Sequence, residues 1–399
     1  VVPGMNQDQL LELADQAREA GRLEDEEKII REVVSKDQKN MDWLRRLADV
    51  YERRAVAFKQ DTSDPEAAEK AREEYIKGVV KVYLYMADLA GDSEDIDTEE
   101  EMYKRILKHE PVFFEDSVKN SYSQAYLGLA RVCAATDRAL QAIGCYEKYV
   151  REPAGDSDAV AYLEMGRLYR SQKLIRQALS ALQKAKKINP ENPDIFVELA
   201  HTQMDNNKRD AALESIRKAI DKSPKNPEYH NVCAYFLLSN RYIDESDLKL
   251  ANEKAREAVR LAREQHRNDP DSITALQALD KYYVTYRQSL EKMLDAAPES
   301  VNTRIDLART IKEQAVVSQN LALYQAIYVL YQAEGSDKDN IRLLELQAEL
   351  QFTVGRNNEA VETCRRLLNN DPQNTVAKEL MKELSGKATT MPTTRPTGN

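Results

Sequence analysis

The chain has 399 residues, 42% of them hydrophobic, with only 12 glycines and 13 prolines, which suits a helix-rich globular protein, and no apolar run approaches a membrane-spanning length. A net charge of −10 argues against nucleic acid as a partner, because a phosphate backbone calls for a basic face. Cys133, Cys145, Cys233 and Cys364 show neither CxxC nor other metal-ligand spacing and read as small core residues, with Cys133 and Cys145 placed to face each other across one hairpin.

Residues 1–6 form a short tail, and residues 7–122 read as N-terminal helical repeats with a long-helix insertion. Leu10, Leu13, Ala14 and Ala17 share a helix face, Gly21 turns the chain, and Ile30 and Val33 lie on a second helix. Glu26 stands where a small residue is wanted, so a looser or end-exposed first unit is expected. A second unit begins at Met41, with Leu44, Leu47, Ala48 and Tyr51 buried and Trp43 beside them, before the polar, turn-rich segment from Lys59 to Pro65. From Pro65 to about Ala90 the residues Tyr75, Val79, Val82, Tyr83, Met86 and Leu89 keep helical spacing without a breaker. That pattern predicts one long helix overhanging the array, with Gly78 as its weak point. Asp92 to Glu101 carries seven carboxylates, no base and no central glycine of a calcium loop, so it reads as a solvated loop entering a helix N-terminus. Phe113 and Phe114 are expected to plug a gap between units.

Regular units occupy residues 123–262. The first of them pairs Tyr126, Leu129, Ala130 and Cys133 with Ala142, Tyr146 and Tyr149. From Ala159 to Asn226 two consecutive stretches of 34 residues then carry the same residue types at the same offsets. Tyr162, Met165, Gly166, Tyr169, Ala178, Leu182, Ala185 and Pro190 recur as Phe196, Leu199, Ala200, Gln203, Ala212, Ile216, Ala219 and Pro224, with Gln203 alone breaking the match. Offsets of three and four put each set on one helix face, and the small residues fall where two antiparallel helices need close backbone approach. Each stretch is therefore a helical hairpin, which cannot bury its apolar faces unless hairpins stack. A further unit starts at Pro227, with an insert around Arg241 to Lys249 delaying its second helix.

Residues 263–340 read as degenerate repeats: a compressed helical pair over 270–298, then an irregular unit with Ile305, Leu307, Ala308 and Ile311 on one helix and Ala322, Ala326 and Leu330 on the next. Residues 341–386 return to register with Leu344, Ala348, Gly355, Ala360, Cys364, Leu367 and Pro372, followed by an amphipathic capping helix from Thr375 to Leu384. The Thr/Pro-rich residues 387–399 lack a packable face and are expected to be disordered.

The 34-residue period and the eight positions repeated in 159–226 resemble the tetratricopeptide repeat family. The resemblance implies an all-α superhelix, here a solenoid of about eight to nine hairpins, whose first helices line a concave surface that binds other proteins. That family uses the second, fifth, ninth, twelfth and thirteenth positions of each unit for ligand contact. Here the resemblance assigns the groove to Leu127, Arg131, Leu163, Arg167, Arg170, Val197, His201, Met204, Asn231 and Tyr235. The arginines suit an acidic or C-terminal peptide; the alternative is a solvated arginine face balanced by nearby Glu and Asp. Members that grip chaperone C-termini use a lysine and asparagine clamp. This chain departs from it: Leu163 and Arg167 stand at its start, Glu198 replaces the next asparagine and Glu228 stands where a lysine is wanted.

No glycine-rich phosphate loop, GxSxG or HExxH occurs, and the histidines are His109, His201, His230 and His266 alone, so neither catalysis, cofactor nor metal is expected. The expectation is a non-enzymatic scaffold for a protein or peptide partner. The alternative is the recognition arm of a larger enzyme or envelope-assembly machine. Self-association through Phe113-Phe114 or the long helix stays open, and partner and pathway are not legible. A soluble, cytoplasmic chain is expected, or an exported one if a leader has been lost ahead of Val1.

Overall fold

The computed structural model describes residues 5–59, 64–109, 116–240, 242–317, 323–337 and 339–388, and all regular structure among them is helical. Phe113 and Phe114, Arg241, Ala322 and the tail from residue 389 lie outside the described residues. Two compact units divide the chain, Val1–Thr202 and Gln203–Asn399. The first contains α1 (Gln7–Glu19), α2 (Leu23–Lys36), α3 (Met41–Lys59), α4 (Pro65–Asp92), α5 (Ile96–Lys108), α6 (Asp116–Ala135), α7 (Ala139–Tyr149), α8 (Pro153–Asp156), α9 (Ala159–Ser171) and α10 (Ile175–Ile188). The division falls within α11 (Pro193–Asp205). The second unit continues with α12 (Arg209–Lys222), α13 (Pro227–Leu238), α14 (Glu245–Asn268), α15 (Ile273–Ala296), α16 (Val301–Val317), α17 (Leu323–Asp337), α18 (Ile341–Thr353), α19 (Asn357–Asn370) and the cap α20 (Thr375–Ala388).

Local chemistry repeats with the period of the sequence. Asn6, Asn40, Asp158, Asn192, Asn226, Asn340 and Asn374 each precede a helix and accept a backbone N–H of its first turn at 2.9–3.2 Å, satisfying donors that have no partner within the helix. Fifteen residues after Asn6, Asp158, Asn192 and Asn340 the chain turns left-handed, at Gly21, Lys173, Asn207 and Gly355, and it does so again at Asp137, with φ between 57° and 81°. The next residue's N–H then reaches back five residues, as from Leu174 to the Tyr169 carbonyl at 2.8 Å and from Arg356 to the Gln351 carbonyl at 2.8 Å. This closes each first helix and reverses the chain in two residues.

Packing obeys the small-residue logic. A Cβ on Gly166 would lie 2.5 Å from Leu182 Cγ, so α9 and α10 approach as closely as a residue without a side chain allows. The mismatch at Gln203 also has a cause. In unit 2 its carboxamide oxygen accepts from Ser215 at 2.8 Å, and Gln351 accepts from buried Thr363 at the equivalent pair of positions, also at 2.8 Å. Tyr169 at that position faces Ala181 in the sequence register and instead sends its hydroxyl to Glu147 at 2.6 Å. A glutamine thus travels with a hydroxyl partner, and a tyrosine with a small residue. All four cysteines are free thiols.

Several expectations are corrected. The helix from Pro65 does run unbroken for 28 residues, but it does not overhang: Val79, Val80, Tyr83, Met86, Ala87 and Ala90 are all buried. Its first half packs on α3, where Tyr51 lies 2.9 Å from any Cβ at Gly78. Its second half is the first helix of another hairpin, turning left-handed at Glu94 (φ 57°) into α5. In the repeat register counted from Val80, the residues Tyr83, Met86, Ala87, Ala90, Tyr103 and Ile106 occupy the expected apolar positions and Pro111 the terminal proline. One helix therefore serves two hairpins.

The acidic segment after it is a short turn, with Asp95 capping α5 by accepting from Thr98 at 3.1 Å, and Glu100 is buried rather than solvated, held by both terminal nitrogens of Arg138 at 2.6 Å. The first unit is not loose at Glu26 either. Its carboxylate is 2% exposed and takes a two-point contact from Arg53 at 2.6 and 2.9 Å, so the charge is neutralised where a small residue is usual. In unit 2 the expected pair over 270–298 is the single helix α15, because nothing between Ile273 and Ala296 breaks it. The insert before Ala255 is half helix, since α14 already begins at Glu245 behind the cap Asp244.

Candidate functional site

Seven of the residues that the resemblance assigns to a groove belong to unit 1. Leu127 and Arg131 stand on α6, Leu163, Arg167 and Arg170 on α9, and Val197 and His201 on α11. In each pair from α6, α9 and α11 the members are four residues apart, so each first helix presents one apolar and one polar side chain in the same register. Leu163 is buried in the apolar cluster shared by α6, α7, α9 and α10, while Leu127 and Val197 are half-buried and Arg131 is exposed.

The arginines are not equivalent. Arg167 pairs with Glu164 at 2.7 Å and with Glu198 at 3.0 Å, and Arg170 reaches the other oxygen of Glu198 at 3.2 Å. Burial pulls the Arg167 pKa down, but Glu164 and Glu198 outweigh it and hold it above the ordinary arginine value. Arg131 makes no ion pair among the described residues; burial and the Glu164 carboxylate push the pKa of the nearby Tyr146 hydroxyl up to about 12, outweighing the downward pull of the Arg131 charge. Two of the three arginines are thus balanced in place by carboxylates, and Arg131 is the cation left facing outward. Glu164 is legible as the partner of Arg167 from its spacing of three on one helix; Glu198 is legible only once the 34-residue register places it on the neighbouring first helix.

Unit 2 holds the other three. Met204 is half-buried on α11, Asn231 is 3% exposed on α13 with no hydrogen-bond partner for Oδ1 among the described residues, and Tyr235 on α13 is 55% exposed with its ring 6.2 Å from that of Phe236. Glu228, at the clamp's lysine position, receives Lys281 Nζ and the Tyr282 hydroxyl of α15, both at 2.9 Å. Both acidic departures from the chaperone-tail clamp, Glu198 and Glu228, are therefore engaged in holding neighbouring helices together. Among the described residues no group of His, Cys, Asp or Glu could hold a metal, and no helix is long and apolar enough to cross a membrane.

The tetratricopeptide repeat family matches residues 169–234. No curated protein matches the chain. Among solved structures, MamA 41-end from Desulfovibrio magneticus RS-1 is similar at 16% identity, covering 48% of this chain and 97% of that one with a TM-score of 0.41. The P58(IPK) TPR domain is similar at 15% identity over 96% of this chain and 99% of that one, with a TM-score of 0.27. A tetratricopeptide repeat protein from Parabacteroides merdae ATCC 43184 is similar at 12% identity over 66% and 98%, with a TM-score of 0.32. All three TM-scores are low, and these likenesses carry no weight for function. Residues 169–234 thus match the tetratricopeptide repeat family, and the caps and left-handed turns of that stretch recur in hairpins elsewhere in the chain.

Proposed function

We propose that the chain is a non-enzymatic interaction scaffold that holds an acidic segment of a protein partner along the first helices α6, α9 and α11 of unit 1. The observation that carries this is Arg131: an exposed guanidinium without a carboxylate, beside the half-buried Leu127, at the head of a row in which every other arginine is already balanced. A partner carboxylate there gains a charge-assisted hydrogen bond without displacing an internal pair. Arg167 and Arg170 take a positioning part, fixed by Glu198, with Val197 and His201 continuing the row. Met204, Asn231 and Tyr235 are proposed as contact residues of unit 2 in their own right.

The test is affinity capture from the source cell extract on the intact chain and on Arg131→Glu, read by mass spectrometry. One partner lost from the variant at unchanged melting temperature is the expected result. An identical set of captured proteins on both would overturn the groove assignment.

A further inference from the structure

A cleft lies in unit 1 on helices other than those of that row. The helices α2 and α4 form the walls of a cleft of about 390 Å³ whose floor is Leu44 and Leu47 of α3, within the size range of sites that accept small ligands or anchor side chains. On the α4 wall Val82 and the 38% exposed ring of Tyr85 face the cleft one helical turn apart; Val34 faces them from α2. The charged side chains that line it are Arg31 and Lys81, with no carboxylate among the lining residues, in a chain that carries 68 acids against 58 bases. Arg31 is fixed, paired to Glu27 at 2.9 Å and stacked over Tyr51 at 5.4 Å. Lys81 is exposed and makes no ion pair among the described residues.

We propose that this cleft docks a short acidic peptide, an apolar side chain of which sits over Leu44 and Leu47 while a neighbouring carboxylate pairs with Lys81. An apolar floor alone would accept any hydrophobic segment; the one-sided charge of the rim selects for acid beside the anchor. The site is independent of Arg131, and the two are separable by mutation.

A phage-displayed library of random dodecapeptides is selected on the intact chain, and enriched peptides are synthesised with a fluorescent label and titrated against the chain and three variants, Lys81→Glu, Tyr85→Ala and Arg131→Glu. All three replace exposed side chains, and circular dichroism checks that each is folded. The expected result is enrichment of Leu, Phe or Met flanked by Asp or Glu, with affinity lowered about tenfold or more by Lys81→Glu, lowered also by Tyr85→Ala, and unchanged by Arg131→Glu. Three results overturn the proposal: no enrichment, enriched peptides that are basic or uncharged, or acidic peptides that bind Lys81→Glu as tightly as the parent. Acidic peptides lost from Arg131→Glu alone would belong to the row on α6, α9 and α11 and would leave the cleft without a ligand.

Discussion

Gly166 and Gly144 both sit inside helices, and their surroundings give opposite signs to the same substitution. A methyl group at Gly166 meets fully buried Leu182, so Gly166→Ala forces a core shift costing about 1–3 kcal/mol, more than the roughly 1 kcal/mol of helix propensity it gains; at Gly144 nothing lies within 4 Å, and Gly144→Ala keeps the gain. Thermal melts should show the first variant less stable and the second more stable than the parent. Glu100 gives a pH dependence. The Arg138 guanidinium, helped by Lys104, holds its pKa down to about 2 from an ordinary value of 4.5, against the opposing effect of burial. The stabilisation is therefore present above about pH 4.5 and is lost as pH falls toward 2. Glu100→Gln should lower the melting temperature at pH 7 and narrow the difference from the parent by pH 2.5; a difference that stays constant with pH would refute the assignment. Nothing in the sequence marked this residue, since Arg138 lies 38 positions away and falls outside the repeat's own offsets.

At the scale of the element, the left-handed turn is the most regular feature of the fold and the one that residue identity conceals. Glycine at 21 and 355 announces it, whereas Asp137, Lys173 and Asn207 adopt the same conformation with a side chain that opposes it. Lys173→Gly should stabilise by about 0.5–1 kcal/mol and Gly355→Ala should destabilise by about 1 kcal/mol or more. Parallel shifts of the two melting temperatures would sink this account. The hairpins with glycine or asparagine at the turn and alanine at the close contact were legible because every local signal agreed. The pair formed by the second half of α4 and α5 was hidden for a physical reason: with no cap or breaker between Pro65 and Asp92, two functions run through one continuous helix, and Glu94 stands at the turn where glycine would have marked it. Among the residues assigned to the groove, Arg131, Arg167 and Arg170 were legible as a stripe and Glu198 through the 34-residue register, while the cleft between α2 and α4 depends on contacts between hairpins that only the fold brings together.

For the whole molecule, the consequence of repeat construction is that stability is local. Within unit 1 the apolar residues fall into two clusters, one running from Leu10 to Ala142 and one from Tyr126 to Leu199, and the helices in contact are close neighbours in sequence. A stack of hairpins within one unit unfolds by nearest-neighbour terms, so damage at one place propagates only as far as adjacent interfaces carry it. Ile30 is fully buried on α2, and Ile30→Ala should cost about 2–5 kcal/mol. Hydrogen exchange should then quicken in α1, α2 and α3, whereas the amides of α9 and α10, which draw on the other cluster, keep the parent's protection. Equal acceleration in α9 and α10 would mean that unit 1 unfolds as one cooperative body, and that the row proposed for partner binding on α6, α9 and α11 loses order whenever the first hairpin does.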